Sequence, residues 1–147
     1  MIGNLLVVIF FSLGQVPLHG AAKKQTTTSL SSCEAEYRAA KEAGKEVVWI
    51  RNLLFELGFA QSSATPLYCD NQSAIQVANN HVFHAKTKHI EIDVHYIRDL
   101  VQANFVNLQF CPSEDQTADI FTKSMLEAKF LKLRGMLGMI EVNIEGG

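Results

Sequence analysis

The chain has 147 residues, of which 48% are hydrophobic and 19% are charged, a balance typical of one globular domain. Its nine Gly and three Pro exclude a collagen-like sequence, and its apolar content excludes a disordered one. The 13 basic and 15 acidic side chains give a formal net charge of −2, so no overall positive field indicates a nucleic-acid partner. Any such partner would have to be bound by local groups of basic side chains.

The cysteines and histidines show neither a disulfide framework nor the spacing of a zinc site. Three cysteines are an odd number, and none belongs to a Cys-x-x-Cys pair, which favours a reducing, intracellular compartment. The five histidines include no His-Glu-x-x-His motif. We therefore predict no structural zinc site.

The N-terminal apolar segment has two interpretations. An unbroken apolar run over 5–11 is followed by small residues, as in a secretory signal peptide, but no basic residue precedes Lys23. The run is also shorter than the roughly 20 apolar residues that cross a membrane. The favoured interpretation is a hairpin whose strands cover 5–11 and 16–22. The alternative is a small secreted protein that loses residues 1–22.

A long helix is predicted to begin after Ser31. Ser31 and Glu34 form the Ser-x-x-Glu pattern of a capping box, and Gly58 is a typical helix end. Apolar residues recur at helical spacing between these signals, namely Ala40, Ala43, Val47, Ile50, Leu54 and Leu57. Glu36 heads this apolar stripe, whereas Glu34 lies on another side of the helix and is explained by capping. The Glu36 carboxylate either meets a cation or stays in water in the first turn, and the local pattern leaves both open.

The middle of the chain alternates between strands and helices. In chain order, the pattern predicts a strand over 66–69, a helix over 71–79, a basic loop over 80–88, a helix over 90–103 and a strand over 105–111. Asp70 directly follows the first of these strands, where open α/β sheets place their ligands. An Asp at that place also makes a good helix N-cap, and the local pattern alone favours the cap.

A final helix is predicted to begin at a second capping box, formed by Ser113 and Gln116. Its apolar face consists of Leu126, Phe130, Leu133 and Leu137. Asp119 would lie on the same side, nearer the start of the helix. The alternative is that the Asp119 side chain forms an ion pair with Lys123, one turn later on the helix. The local pattern alone favours this ion pair.

The three acids Glu36, Asp70 and Asp119 together predict a metal-dependent site. The element order would let all three converge at one end of a sheet. Clustered carboxylates repel one another unless divalent cations bridge them, and hard oxygen ligands suit Mg²⁺ or Mn²⁺. Two such ions about 4 Å apart activate a water and stabilise the leaving oxygen in phosphodiester cleavage. The constellation therefore suggests a nuclease.

Four segments carry a resemblance to a known family. They read SSCEAEYRA over 31–39, LYCDNQSA over 67–74, TKHIEI over 87–92 and TADIFTK over 117–123. In this order, and with FSLG and AKKQ upstream, they closely resemble the ribonuclease H domain that ends the Pol polyprotein of copia-type LTR retrotransposons. The resemblance extends from about Val8 to Arg134.

The resemblance implies an RNase H-like α/β fold, with a mixed central sheet flanked by helices in one domain over 1–137 and a tail over 138–147. It implies an endonuclease that cuts RNA in an RNA–DNA hybrid with two Mg²⁺ or Mn²⁺ ions. The carboxylates it places in catalysis and metal binding are Glu36, Asp70 and Asp119. The implied partners are the hybrid and the rest of the Pol polyprotein, including reverse transcriptase, and no membrane.

One departure from the family pattern affects the expected activity. The family's first strand carries another aspartate, which bridges both metal ions, whereas no Asp or Glu of this chain precedes Glu34. We therefore expect a domain truncated at its N-terminus, with that strand absent and a gap left in the sheet. We expect poor occupancy of the metal site and little or no hydrolysis by the isolated chain. A displacement of the reacting groups by about 1 Å can lower the rate about 10²-fold.

In a second interpretation, the chain derives from the same family but has no catalytic activity. In it, the chain is a retrotransposon-derived remnant that binds nucleic acid weakly. Its basic contacts would be Lys23, Lys24, His84, Lys86, Lys88 and Arg98. Binding through phosphates predicts an affinity that falls steeply with added salt.

Overall fold

The computed structural model describes residues 6–13, 16–24, 29, 31–80 and 91–139. Its strands are β1 Leu6–Leu13, β2 Val16–Lys24, β3 Thr65–Cys69 and β4 Val106–Phe110. Its α-helices are α1 Ser32–Glu56, α2 Gln72–Asn79, α3 Glu91–Gln102 and α4 Glu127–Met136, and a short 3-10 helix covers Thr117–Phe121. Most of the predicted basic loop and most of the predicted tail lie outside the described residues.

The N-terminal hairpin forms as predicted. Strands β1 and β2 pair in an antiparallel register that places Val8 opposite Ala22. The register shifts between Phe11 and Ser12, as at a β-bulge. The apolar run that could have been a signal peptide is therefore a strand in a hydrogen-bonded pair.

The limits of α1 also agree with the sequence. Ser31 is the N-cap, and its Oγ accepts a hydrogen bond from the Glu34 amide at 3.1 Å. The helix ends at Leu57, and Gly58 follows with a φ of 86°, a left-handed conformation that glycine adopts without steric cost. Both ends are fixed by signals within a few residues, which explains why the sequence locates them.

The strands of the described residues form two sheets instead of one mixed central sheet. Strands β3 and β4 are parallel, with Thr65 opposite Val106 and Cys69 opposite Phe110, and they share no sheet with the hairpin. A cavity of about 150 Å³ lies between Ser12 of the hairpin and the side formed by α1 and residues 61–66. The α/β class is confirmed, whereas the described strands do not form the single mixed sheet that was expected.

The core lies between the parallel pair and the helices α1, α2 and α3. Its buried members are Val47, Ile50, Ala78, Ile97, Val106 and Leu108. The middle of the predicted apolar stripe of α1 therefore faces this core, although Leu57 at the end of the stripe is 62% exposed. Helices α1 and α3 pack so closely that a Cβ on Gly44 would lie 2.8 Å from Cδ1 of Leu100.

The C-terminal region differs from the predicted continuous helix. Gln116 begins only a 3-10 helix and makes no side-chain capping bond, and α4 starts separately at Glu127. Of the predicted apolar face, Leu133 and Leu137 are buried, whereas Leu126 is 83% exposed. The break between the two helices removes the common face that the sequence pattern assigned to them.

Among the helices in the described part of the chain, none is both long and apolar enough to cross a membrane.

Candidate functional site

Two of the three predicted acids meet at the carboxyl end of β3. Glu36 lies in the second turn of α1, and Asp70 is the residue immediately after β3. One carboxylate oxygen of each acid and the Sγ atom of Cys69 all lie within 4.8 Å of one another. We call Glu36, Cys69 and Asp70 the acid–thiol cluster.

Asp70 reaches this cluster because it does not cap α2. The N-cap of α2 is Asn71, whose side chain accepts from the Ala74 amide at 3.0 Å. The local preference for Asp70 as the cap is therefore wrong by one residue. The Asp70 carboxylate instead accepts a hydrogen bond at Oδ2 from the Ser113 hydroxyl, at 2.9 Å. This bond explains why Ser113 is not a helix cap.

Cys69 is the member of the cluster that the sequence analysis did not single out. It is the last residue of β3, its side chain is buried, and its thiol donates to Oε2 of Glu36 at 3.7 Å. The Asn71 amide in turn donates to Sγ at 3.4 Å. Burial, together with the Glu36 and Asp70 carboxylates, raises the pKa of the Cys69 thiol to about 12, so the thiol is protonated at neutral pH.

The Glu36 carboxylate lies in an environment that disfavours its charge. Burial and then the negative charge of Asp70 raise the pKa of Glu36 above its ordinary value of 4.5. The thiol of Cys69 and the ammonium of Lys123 act in the opposite direction, and Asp119 adds a smaller upward contribution. A cation bound between the carboxylates would offset the contribution of the Asp70 charge to this pKa shift.

Asp119 lies close to the cluster without joining it. It belongs to the 3-10 helix and is buried, with Oδ1 3.0 Å from Nζ of Lys123 and Oδ2 3.6 Å from Nζ of Lys129. The ion pair with Lys123 is the local alternative that the sequence favoured. Lys129, on α4, has no local sequence signal, because its approach depends on the break between the two helices.

The side chain of Arg98 binds backbone carbonyls at the end of α2. Its side chain is buried, with Nε donating to the carbonyl of Val77 at 2.9 Å and Nη2 to the carbonyl of Asn80 at 2.8 Å. These carbonyls lie at the end of α2, where a helix leaves acceptors without intrahelical partners. The predicted contact of Arg98 with phosphates stays a prediction, and these contacts give its side chain a structural role as well.

The other predicted basic contacts are not located by the structure. Lys23 and Lys24 are placed in β2 by their backbone alone, and His84, Lys86 and Lys88 lie outside the described residues. Their contacts with phosphates stay predictions.

Arg98→Ala is expected to lower the free energy of unfolding by about 1–3 kcal/mol, because it leaves buried carbonyls of α2 unsatisfied. Denaturant unfolding measures the change. The control is Lys45→Ala, which removes an exposed pair with Glu42 and should change stability by at most about 1 kcal/mol. An Arg98→Ala protein that keeps its stability but binds nucleic acid with a smaller salt dependence would favour the phosphate contact over the structural role.

Comparisons with known proteins place the chain among transposon polyproteins. No family model and no solved structure matches it. It is 38% identical over 130 residues to the retrovirus-related Pol polyprotein from transposon RE2 of Arabidopsis thaliana, a match that covers 88% of this chain and 9% of the relative. The corresponding polyprotein from transposon RE1 of the same plant gives the same identity and coverage. That from transposon TNT 1-94 of Nicotiana tabacum is 39% identical over 118 residues, or 80% of this chain and 9% of the relative.

These relatives do not support the alternative of a small secreted protein. The chain spans about 9% of the length of the curated relatives it matches. The matched part includes most of this chain, so the similarity extends well beyond one motif. The chain is a homologue of one segment of the retrovirus-related Pol polyproteins of plant copia-type transposons.

Proposed function

We propose that the chain is an intracellular ribonuclease H domain of a copia-type Pol polyprotein. Its substrate would be the RNA strand of an RNA–DNA hybrid, and its partners the rest of the polyprotein, including reverse transcriptase. The observation that carries the proposal is the meeting of Glu36 from α1 with Asp70 at the end of β3. The relationship to Pol polyproteins supplies the context in which such a pair of carboxylates cuts phosphodiesters.

The carboxylates of the cluster fit a hard divalent cation. Mg²⁺ and Mn²⁺ prefer oxygen ligands, and a cation would neutralise the Asp70 charge, which after burial is the main cause of the raised pKa of Glu36. Glu36 and Asp70 would hold the ions, and Asp119 would join them after releasing Lys123, whose side chain is 62% exposed.

Neighbouring side chains orient the two carboxylates for this role. The Ser113 hydroxyl binds Oδ2 of Asp70, and the Cys69 thiol binds Oε2 of Glu36, so one oxygen of each acid is fixed. Bound Mg²⁺ would supply an activated water and stabilise the leaving oxygen. The chain's own contribution is to hold both acids in one small region before the ions arrive, which avoids reorganisation during the reaction.

The isolated chain is proposed to have little or no activity. The sequence has no Asp or Glu before Glu34 that could serve as the family's first-strand ligand. The third acid, Asp119, is paired with two lysines. The chain would then bind a hybrid in a salt-dependent way without cutting it, which is the non-catalytic interpretation of the same site.

The test is cleavage of a labelled RNA–DNA hybrid in Mg²⁺ and in Mn²⁺ by two proteins. One is the chain itself, and the other is an extended chain that begins with the segment preceding the matching region in the transposon RE2 relative. We expect cleavage by the extended chain and little or none by the chain alone. Asp70→Asn should abolish the cleavage, whereas the control Asp99→Asn, at an exposed position of α3, should preserve it.

Either of two results would overturn the proposal. They are a folded extended chain that does not cut the hybrid, and a cleavage rate that Asp70→Asn leaves unchanged. Cleavage by the chain alone, lost on Asp70→Asn, would instead show that Glu36, Asp70 and Asp119 suffice for catalysis.

A further inference from the structure

One lysine of α4 connects two of the proposed acids through the loop after β4. Ser113 in this loop donates its hydroxyl proton to Oδ2 of Asp70 at 2.9 Å, and its carbonyl accepts a hydrogen bond from Nζ of Lys129 at 3.1 Å. The same Nζ lies 3.6 Å from Oδ2 of Asp119. The ammonium of Lys129 therefore belongs to a continuous path of contacts from Asp70 to Asp119.

The two lysines that pair with Asp119 are held in different ways. Lys123 follows Asp119 by four positions, pairs with Oδ1 at 3.0 Å, and has a side chain that is 62% exposed. The side chain of Lys129, on α4, is 34% exposed and is also bound to the backbone carbonyl of Ser113. An exposed ion pair such as that of Lys123 is weak, whereas the hydrogen bond to the backbone keeps Lys129 in place.

Each lysine faces a different oxygen of the Asp119 carboxylate. Oδ1 lies beside Lys123, and Oδ2 lies beside Lys129. When Lys123 turns to solvent, Oδ1 becomes available to a cation while Oδ2 stays beside Lys129. The charge of Lys129 then fixes the direction of the carboxylate, in the way that polar partners commonly orient metal-binding side chains.

A second lysine of α4 provides an internal comparison. Lys132 lies three positions after Lys129 and pairs with Asp115, which belongs to the same loop but is not a proposed metal ligand. The amide of Asp115 donates to the carbonyl of Pro112 at 2.9 Å and closes a turn around Ser113. Lys129 and Lys132 therefore hold the same loop with the same charge, but Lys129 alone of these two pairs with Asp119.

We propose that Lys129 is a positioning residue, which holds Asp119 and, through Ser113, Asp70 in the places that divalent ions require. This inference rests on the proposed ribonuclease function, because the two acids act as ligands only there. Charge repulsion alone predicts that removal of either lysine beside Asp119 strengthens the binding of a divalent cation. A positioning role predicts the opposite sign for Lys129, and this difference makes the proposal testable.

The first test is a titration of the full chain with Mn²⁺, followed by the electron paramagnetic resonance signal of the free ion. Lys129→Met is expected to weaken Mn²⁺ binding about tenfold, as is typical when a partner of a metal ligand is lost. Lys123→Met should strengthen binding roughly twofold or more, because it removes a competing cation. Lys129→Arg, which keeps the charge and hydrogen-bond donors, should restore most of the affinity. The control Lys132→Met should leave the affinity unchanged.

The second test needs no metal ion. The amide of Asp115 lies in the turn around Ser113, so its hydrogen exchange measures how firmly the loop is held. Lys129→Met is expected to speed this exchange about threefold or more, and Lys123→Met should leave it unchanged. Denaturant unfolding shows that each variant is folded. If Lys129→Met does not fold, Lys129→Gln takes its place in the Mn²⁺ titration, because it also lacks the charge beside Asp119.

The outcomes separate this inference from the proposed function. Mn²⁺ binding that is unchanged or tighter in Lys129→Met overturns the inference, and so does an equal weakening in Lys132→Met. If no form of the chain binds Mn²⁺, the proposed metal site is contradicted, and unchanged exchange of the Asp115 amide in Lys129→Met then overturns the hold of Lys129 on the loop. Weaker Mn²⁺ binding by Lys129→Met, without any hybrid cleavage by the extended chain, would contradict the ribonuclease proposal alone.

Discussion

Glu36→Gln is expected to reduce hybrid cleavage by the extended chain about 10²-fold or more, because it removes one of the proposed ligands of the divalent ions and would misplace them. Glu34→Gln, two residues earlier on the same helix, is expected to keep most of the rate. Glu34 is buried and pairs with Arg38 at 2.7 Å, so its substitution should cost about 1–3 kcal/mol of stability instead. Cleavage rates and denaturant unfolding of both variants measure the contrast.

In the absence of divalent ions, Glu36→Gln and Glu34→Gln are expected to have opposite effects on the free energy of unfolding. The pKa of Glu36 is raised in the folded state, so folding disfavours the charged carboxylate. The contribution of Glu36 to stability is therefore fully present below pH 4.5, its ordinary pKa, and is lost as the pH rises through the pKa of the folded state. Glu36→Gln should therefore be more stable, relative to the wild type, at pH 7 than at pH 4. Added Mg²⁺ should stabilise the wild type and have less effect on the variant.

Two results would contradict this assignment. If Glu34→Gln loses cleavage while remaining folded, the catalytic helix carboxylate is Glu34. If Glu36→Gln destabilises the metal-free protein at pH 7, the carboxylate is held by a favourable contact and is not a strained ligand.

The sequence locates elements whose signals are local. Ser31 and Gly58 fix the ends of α1 because capping and a left-handed glycine act within one helical turn. The choice of Glu36 over Glu34 also follows from helical periodicity, and the structure places Glu36 near Asp70. Periodicity and caps are properties of neighbouring residues, so they can be read before the fold is known.

Other features depend on contacts between distant parts of the chain. Ser113 resembles a helix cap, yet its hydroxyl is used by Asp70, a partner 43 positions away. Arg98 resembles a surface cation, yet its side chain is buried and binds carbonyls at the end of α2. The role of Cys69 beside Glu36 likewise appears only when α1 packs against β3. A local pattern cannot distinguish these side chains from solvated ones, because the competing interaction is tertiary.

The arrangement of the strands shows the same limit. The hairpin and the parallel pair were each predictable from apolar runs and turns, but their joining in one sheet depends on what lies between them. The cavity beside Ser12 shows that the two sheets are not in full contact there. In the family the resemblance names, a further strand carrying an aspartate occupies the middle of the sheet, which is why the extended chain is the informative form for activity.

Cys69→Ala is expected to lower hybrid cleavage by the extended chain about tenfold, whereas Cys69→Ser is expected to retain most of the rate. Serine keeps a hydrogen-bond donor beside Oε2 of Glu36, whereas alanine removes the contact that fixes this carboxylate oxygen. Cys111→Ala is the matched control, because Cys111 lies near the acids in the loop after β4 yet is outside the acid–thiol cluster.

The measurement is the rate of hybrid cleavage at fixed Mg²⁺ for the three variants and the unsubstituted extended chain, with denaturant unfolding to show that each protein is folded. Equal rates in Cys69→Ala and Cys111→Ala would mean that the thiol has no part in placing Glu36. A rate that falls in Cys69→Ala and is kept in Cys69→Ser would tie the position of the Glu36 carboxylate to the hydrogen bond from residue 69. This buried residue would then act on cleavage through Glu36, a contribution that the proposed carboxylate ligands alone do not provide.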